Sequence, residues 1–254
     1  MATTLRVLTD GVISGSTDVP WALYEGNRLV QSGRGPASDW PHAAAREAVL
    51  AASAVRLVHL TLPPMPADRV PQAVAFALED QLAGPAGGHH LATSRRVADG
   101  VDVAIVARPV IAPLAESFDR VIAEPAIAAK APTGAWRWYR SGASGGFVRR
   151  ADGSAFATSA FDARGALPPE LALAARHAAR AAPELARIEA AFPVDDAQLR
   201  TWSQEVGVAF SRSDAWAWDQ DGAALAAAFD LLQGDYSRTR SAARKPLRSR
   251  FLLG

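Results

Sequence analysis

Trp136-Arg-Trp-Tyr139, Gly146-Phe-Val-Arg149 and Ser154-Ala-Phe-Ala-Thr158 are three short β-type runs, separated by Ser141-Gly-Ala-Ser-Gly-Gly146 and by Ala151-Asp-Gly153. Aromatic and apolar runs bounded by Gly, Ser and Asp clusters read as strands joined by turns, here a three-strand meander. This stretch decides the fold because it repeats the start of the chain. Leu5-Arg-Val-Leu-Thr9, Trp21-Ala-Leu-Tyr24 and Arg28-Leu-Val-Gln-Ser32 form an earlier trio, the last two parted by the turn cluster Glu25-Gly26-Asn27. After the second trio the pattern predicts a helix over 168–180, a strand over 186–192, a helix over 195–205, a strand over 208–211 and a final helix over 221–229.

The first trio is followed by a predicted helix over 41–52 and by Val55-Arg-Leu-Val-His-Leu-Thr-Leu62, a strand buried on one face that Pro63, Pro64 and Pro66 stop. Val70, Val74, Ala77, Leu78 and Leu82 then mark one face of a helix, with Pro71 tolerable in its first turn. Paired strands over 89–97 and 101–106 and a helix over 111–122 complete this unit. The layout is α/β, with two ribonuclease-H-like halves and a small αβ unit interposed in the first. The segments are 1–64 with 121–135, the interposed 65–120, the second half 136–232 and a tail 233–254. Arg and Ala are abundant while lysine occurs only as Lys130 and Lys245, a bias that weakens helix readings resting on Ala spacing.

A chain of 254 residues with 49% apolar residues can bury a substantial core. The absence of cysteine excludes disulfides, thiol nucleophiles and thiolate metal sites. The N-terminus has no basic segment leading into a signal-like apolar stretch, so the body is expected to start in the cytoplasm. No internal apolar run reaches the roughly 18 residues a spanning helix requires.

The C-terminus is different. Arg238, Arg240, Arg244, Lys245, Arg248 and Arg250, with no acid after Asp235, lead into Phe251-Leu-Leu-Gly254. Setting these six aside leaves 21 Lys and Arg against 26 Asp and Glu, so an acidic body carries a basic collar. A basic collar before an apolar run is how a cytoplasmic domain approaches a membrane, since cations attract anionic headgroups and stay on the cytoplasmic side. The expectation is a membrane span beyond Gly254; a basic disordered terminus is the alternative.

Leu60-Thr-Leu-Pro-Pro64, Ala77-Leu-Glu-Asp-Gln-Leu-Ala83 with His89-His90, Ala123-Glu-Pro125 and Phe229-Asp-Leu-Leu-Gln-Gly-Asp-Tyr236 follow one another in an order that resembles the cytoplasmic region of the inner-membrane L component of the type II secretion system. The resemblance implies an actin-like ATPase superfamily fold without enzymatic role. It implies docking of the N-terminal domain of the secretion ATPase, the E component, at the cytoplasmic face of the bacterial inner membrane. Pairing with the M component would use a region beyond this chain, and a homodimer is left open.

Leu78, Glu79, Asp80 and Gln81 are the partner-contact candidates. Two acids at a helix C-terminus oppose the macrodipole and call for a cationic partner or solvent; a solvated acidic surface is the plainer reading. Leu231-Leu-Gln-Gly234 reads as a helix end with Gly234 as its left-handed cap.

Nucleotide binding is weighed and not expected. Asp10-Gly11 and Asp152-Gly153 match acidic phosphate loops only superficially, because acid-Gly pairs are also common hairpin turns. Asp10 continues into Val12-Ile13 and no Gly-Lys-Ser loop exists. Adjacent His89 and His90 point to opposite strand faces and cannot share a metal without distortion. His42, His59 and His177 have no serine or carboxylate at a catalytic spacing. Trp136, Trp138, Trp202, Trp216 and Trp218 could offer a base-stacking surface, but Trp136 and Trp138 share one strand face and read as core, and an acidic body repels nucleic acid except at the tail. No catalytic, metal or cofactor site is expected. The leading reading is a scaffold, and the alternative is an active actin-like ATPase or a relative of pilus-assembly protein M.

Overall fold

The computed structural model describes residues 2–13, 16–82, 86–95, 100–141, 145–161, 165–181 and 185–237. The six tail cations, Arg238 to Arg250, lie outside the described residues. The chain runs β1 (Thr3–Thr9), β2 (Val19–Glu25), β3 (Arg28–Gly35), β4 (Ala45–Leu50), β5 (Val55–Leu60), α1 (Val70–Leu78), β6 (His89–Thr93) and β7 (Val101–Ala107). Next come α2 (Arg108–Ser117), β8 (Arg120–Ala123), the single turn α3 (Glu124–Ile127), β9 (Ala135–Ser141), β10 (Gly145–Arg150) and β11 (Ala155–Thr158). It ends with α4 (Pro169–Ala181), β12 (Arg187–Ala190), α5 (Asp196–Val206), β13 (Ala209–Arg212) and α6 (Gly222–Ala227).

One sheet has the strand order β3-β2-β1-β4-β8, antiparallel across the meander and parallel from β1 through β4 to β8. The same order recurs as β11-β10-β9-β12-β13, again antiparallel in the meander and parallel from β9 through β12 to β13. One topology occurring twice is the duplicated ribonuclease-H-like layout expected from the repeated trios. The antiparallel trio β5-β7-β6 extends the second sheet to eight strands through the single pair Ala155 to Leu57. By its hydrogen bonds β5, expected in the first half, belongs with β7 and β6.

The predicted helix over 41–52 is instead β4. Ala48, Val49 and Leu50 are fully buried between β1 and β8, and a strand covered on both faces shows an unbroken apolar run that Ala and Glu make look helical. The predicted helix over 111–122 ends at Ser117, and its last residues form β8. There Arg46 and Asp119 exchange bonds, Arg46 N to Asp119 Oδ2 at 2.8 Å and Asp119 N to Arg46 O at 2.7 Å, so pairing with β4 takes over from the helix. β6 stops at Thr93 short of 97. The segment read as a helix end at Leu231 to Gly234 is not helical before Gly234, since α6 ends at Ala227, although Gly234 does adopt the left-handed conformation with φ 58°.

Packing follows the two halves. Leu5, Val7, Leu50, Leu57, Val106, Leu114 and Phe118 form a core between the first sheet, α2 and the interposed strands. Trp138 centres the second, with ring centroids 5.3 Å from Trp202 and 4.9 Å from Phe192. Trp136 and Trp138 are therefore core, as their shared strand face predicts. No helix among the described residues is long and apolar enough to cross a membrane.

Candidate functional site

Three strand ends meet between the halves. Glu124, the first residue of α3, is fully buried; its Oε2 accepts from Ala52 N at 2.9 Å, just past β4, and from Ser141 Oγ at 2.6 Å, at the end of β9. Its Oε1 has no hydrogen-bond partner among the described residues. Burial lifts the carboxyl from its ordinary 4.5 to about 7, against the opposing pull of the bonds from Ser141 and Ala52. The group is therefore poised to hold a proton near neutrality while tying the first half to the second. Sequence reading used Glu124 only as part of the Ala123-Glu-Pro125 resemblance, and its one local signal was an acid inside an apolar stretch.

The acid-Gly pairs are spent on their own turns. Asp10 is exposed and its Oδ1 accepts from Val12 N at 3.2 Å, while Gly11 N donates to Thr9 Oγ1 at 3.1 Å. Gly11 has φ 102°, and a Cβ there would lie 2.5 Å from Val110 Cγ1, so α2 occupies the space beside the loop. Asp152 Oδ1 accepts from Ser154 N at 2.7 Å and from Ser154 Oγ at 2.8 Å, an Asx turn between β10 and β11. The connection that duplicates the β1–β2 loop is the β9–β10 one, residues 142–144, which lies outside the described residues. The two acid-Gly pairs are thus not counterparts.

The histidines have partners that spacing concealed. His59 and Asp102 face each other across β5 and β7, with Nδ1 2.8 Å from Oδ1. Ser94 Oγ accepts from Asp102 N and donates to Arg95 O, so its proton is not offered to the imidazole. A Cβ at Gly100 would come within 2.9 Å of His59 Nε2, so the ring is packed against backbone. The pair supplies a carboxylate that no sequence spacing announced, yet among the described residues no nucleophile is aligned with it, and it works as a half-buried polar tie. His90 is buried and donates through Nε2 to Leu231 O at 2.7 Å, and burial lowers its pKa below the usual histidine value. Among the described residues no group of three acidic, histidine or cysteine side chains could hold a metal.

The partner-contact candidates separate in space. Leu78 is 0% exposed and packs with Val58, Val70 and Val74 in the core. Gln81 accepts from Arg56 through its backbone O at 3.2 Å and its Oε1 at 3.4 Å, which fixes it against β5. Glu79 and Asp80 are exposed. Ala77, expected on the buried face, is exposed as well. Phe76, which the sequence reading passed over, is 80% exposed and lies one helical turn before Asp80. A single apolar residue off the core stripe carries no periodic signal.

A second surface feature is a groove of about 1130 Å³ between α4 and the ends of β9 and β10, lined by Trp136, Arg150, Leu173, His177 and Leu185 among others. The Arg150 guanidinium lies over Trp136 at 4.8 Å and over Phe156 at 5.2 Å.

No protein-family model matches the sequence, and no curated protein matches it. Solved structures do. The cytoplasmic domain of EpsL, an inner membrane component of the type II secretion system of Vibrio cholerae, is similar with a TM-score of 0.62 and 18% identity, over 92% of this chain and 100% of that one. A chain of the PilM-PilN type IV pilus biogenesis complex is similar with a TM-score of 0.51 and 13% identity, over 83% of this chain and 88% of that one. At such identities the likeness is one of fold. The chain shares its duplicated α/β fold with the EpsL cytoplasmic domain, the fold that the sequence resemblance led us to expect.

Proposed function

We propose that this chain is a non-enzymatic scaffold of a type II secretion inner-membrane platform, holding the secretion ATPase by its N-terminal domain at the cytoplasmic face of the membrane. The observation that carries the reading is the fold match over the whole of the EpsL cytoplasmic domain. The loop after β1 supports it: Asp10 serves its own loop, and α2 fills the space beside Gly11. The contact face would be the outer side of α1 and the turn after it, with Phe76 as apolar anchor and Glu79 and Asp80 as acidic rim. An anchor supplies affinity while rim charges govern the association rate. The six tail cations would face anionic headgroups, and the M component would be met through a region beyond this chain.

Surface plasmon resonance against the isolated ATPase N-terminal domain tests this. Intact protein binds, Phe76→Ser raises the dissociation rate, and Glu79→Lys with Asp80→Lys slows association and weakens its salt dependence. No binding by the intact protein defeats the scaffold reading; binding unaltered in both variants defeats only the proposed face.

The second reading, an actin-like nucleotide-binding protein, is favoured by Glu124, a buried carboxyl at the junction of the halves with one oxygen that has no partner among the described residues. A Mg-ATP titration separates the two.

A further inference from the structure

The segment Asp230 to Tyr236 bridges the edges of the two sheets. β8 is the edge strand of the first sheet and β6 of the second. At β8, Leu231 N donates to Val121 O at 2.7 Å and Val121 N donates to Asp230 Oδ1 at 3.1 Å, so a carboxylate stands where a neighbouring strand would offer a carbonyl. At β6 a side chain does both jobs: Thr93 N donates to Gln233 Oε1 at 3.0 Å, and Gln233 Nε2 donates to Thr93 O at 2.9 Å. Gln233 Nε2 also donates to Asp230 O at 2.7 Å, linking the two attachments. Leu231 and Leu232 are buried in the core beneath, and His90 both donates to Leu231 O and meets the Tyr236 ring edge-on at 4.9 Å.

We propose that Asp230 to Tyr236 is a releasable strap that couples the two sheet edges into one opening unit. β8 is joined to β4 along a four-residue register, whereas the strap meets the sheets through one backbone pair and a set of side-chain bonds. Opening it withdraws Leu231 and Leu232 from the core together with these bonds, so it is a sub-global opening whose cost includes both. Its release leaves backbone groups of Val121 and Thr93 unpaired at the same moment, one in each sheet, and buried or edge backbone groups without partners are costly. Because the strap directly precedes residue 238, a displacement of the following chain would reach both sheets together, and β8 leads directly to Glu124.

Amide hydrogen exchange on the full chain tests the coupling through cross effects. Asp230→Ala removes the bond to Val121 and must also speed exchange at Thr93. Gln233→Ala removes the bonds to Thr93 and must also speed exchange at Val121. We expect acceleration of about tenfold or more at Val121, Thr93 and Leu231 in each variant, with the amides of β9, β10 and β12 unchanged. Acceleration confined to the sheet whose bond was removed would overturn the proposal. So would a uniform loss of protection, or failure of both single variants to fold, since the segment would then be an integral part of the core.

Discussion

Replacing Glu124 by Gln should remove a pH dependence of stability that the wild type carries. The carboxyl is raised from 4.5 to about 7 by burial, so between these values the native state keeps a proton that the unfolded chain gives up. Stability from this group is therefore fully present below the ordinary value and is lost as pH rises through the folded one. The rise corresponds to ~3 kcal/mol across the window. Glutamine cannot ionise and keeps a carbonyl for Ala52 N and Ser141 Oγ. Its amide N–H groups meet the place where Oε1 has no partner among the described residues, a cost of about 1–3 kcal/mol that does not change with pH. His90 contributes in the opposite sense: its lowered pKa means stability is gained as pH rises toward the unfolded value, in both proteins alike. Urea unfolding of the two proteins at several values between about pH 5 and 8.5 gives the difference in free energy free of that shared term. We expect the difference to move toward the variant by ~3 kcal/mol as pH rises. A difference independent of pH, or one moving toward the wild type, refutes the buried-carboxyl reasoning.

Calorimetric titration with Mg-ATP should be flat, because Asp10 is engaged by its own loop and α2 lies against Gly11. A micromolar affinity lost in Asp10→Ala would establish the nucleotide-binding reading instead. The basic tail should bind anionic vesicles at about 1 kcal/mol per cation near the surface, and less so as salt rises. Deleting residues 237–254 should abolish that binding while leaving the thermal unfolding of the body intact, and equal co-sedimentation of both forms would exclude the collar as the cause.

The meanders, the duplication and the charge asymmetry were legible in the sequence by itself because each is local. Glu25-Gly26-Asn27 and Ala151-Asp-Gly153 bring neighbouring strands together within a few residues, and both turns lie where they were expected. β4 and β8 were not legible. Their identity rests on parallel pairing with strands far along the chain, and in isolation an Ala-rich stretch prefers the helix that tertiary burial overrides. Leu78 lies on the core stripe that the periodicity marked, whereas the exposure of Phe76 was not legible, because periodicity identifies a core stripe but cannot say which residue off it stays uncovered. The polar features were decided only in three dimensions. His59 finds Asp102 across 43 residues, Gln233 finds Thr93 across 140, and Glu124 meets Ser141 and Ala52 from two other strand ends. A charged or polar side chain acquires its protonation state and its partner from burial, and burial belongs to the packed chain, not to the residues on either side.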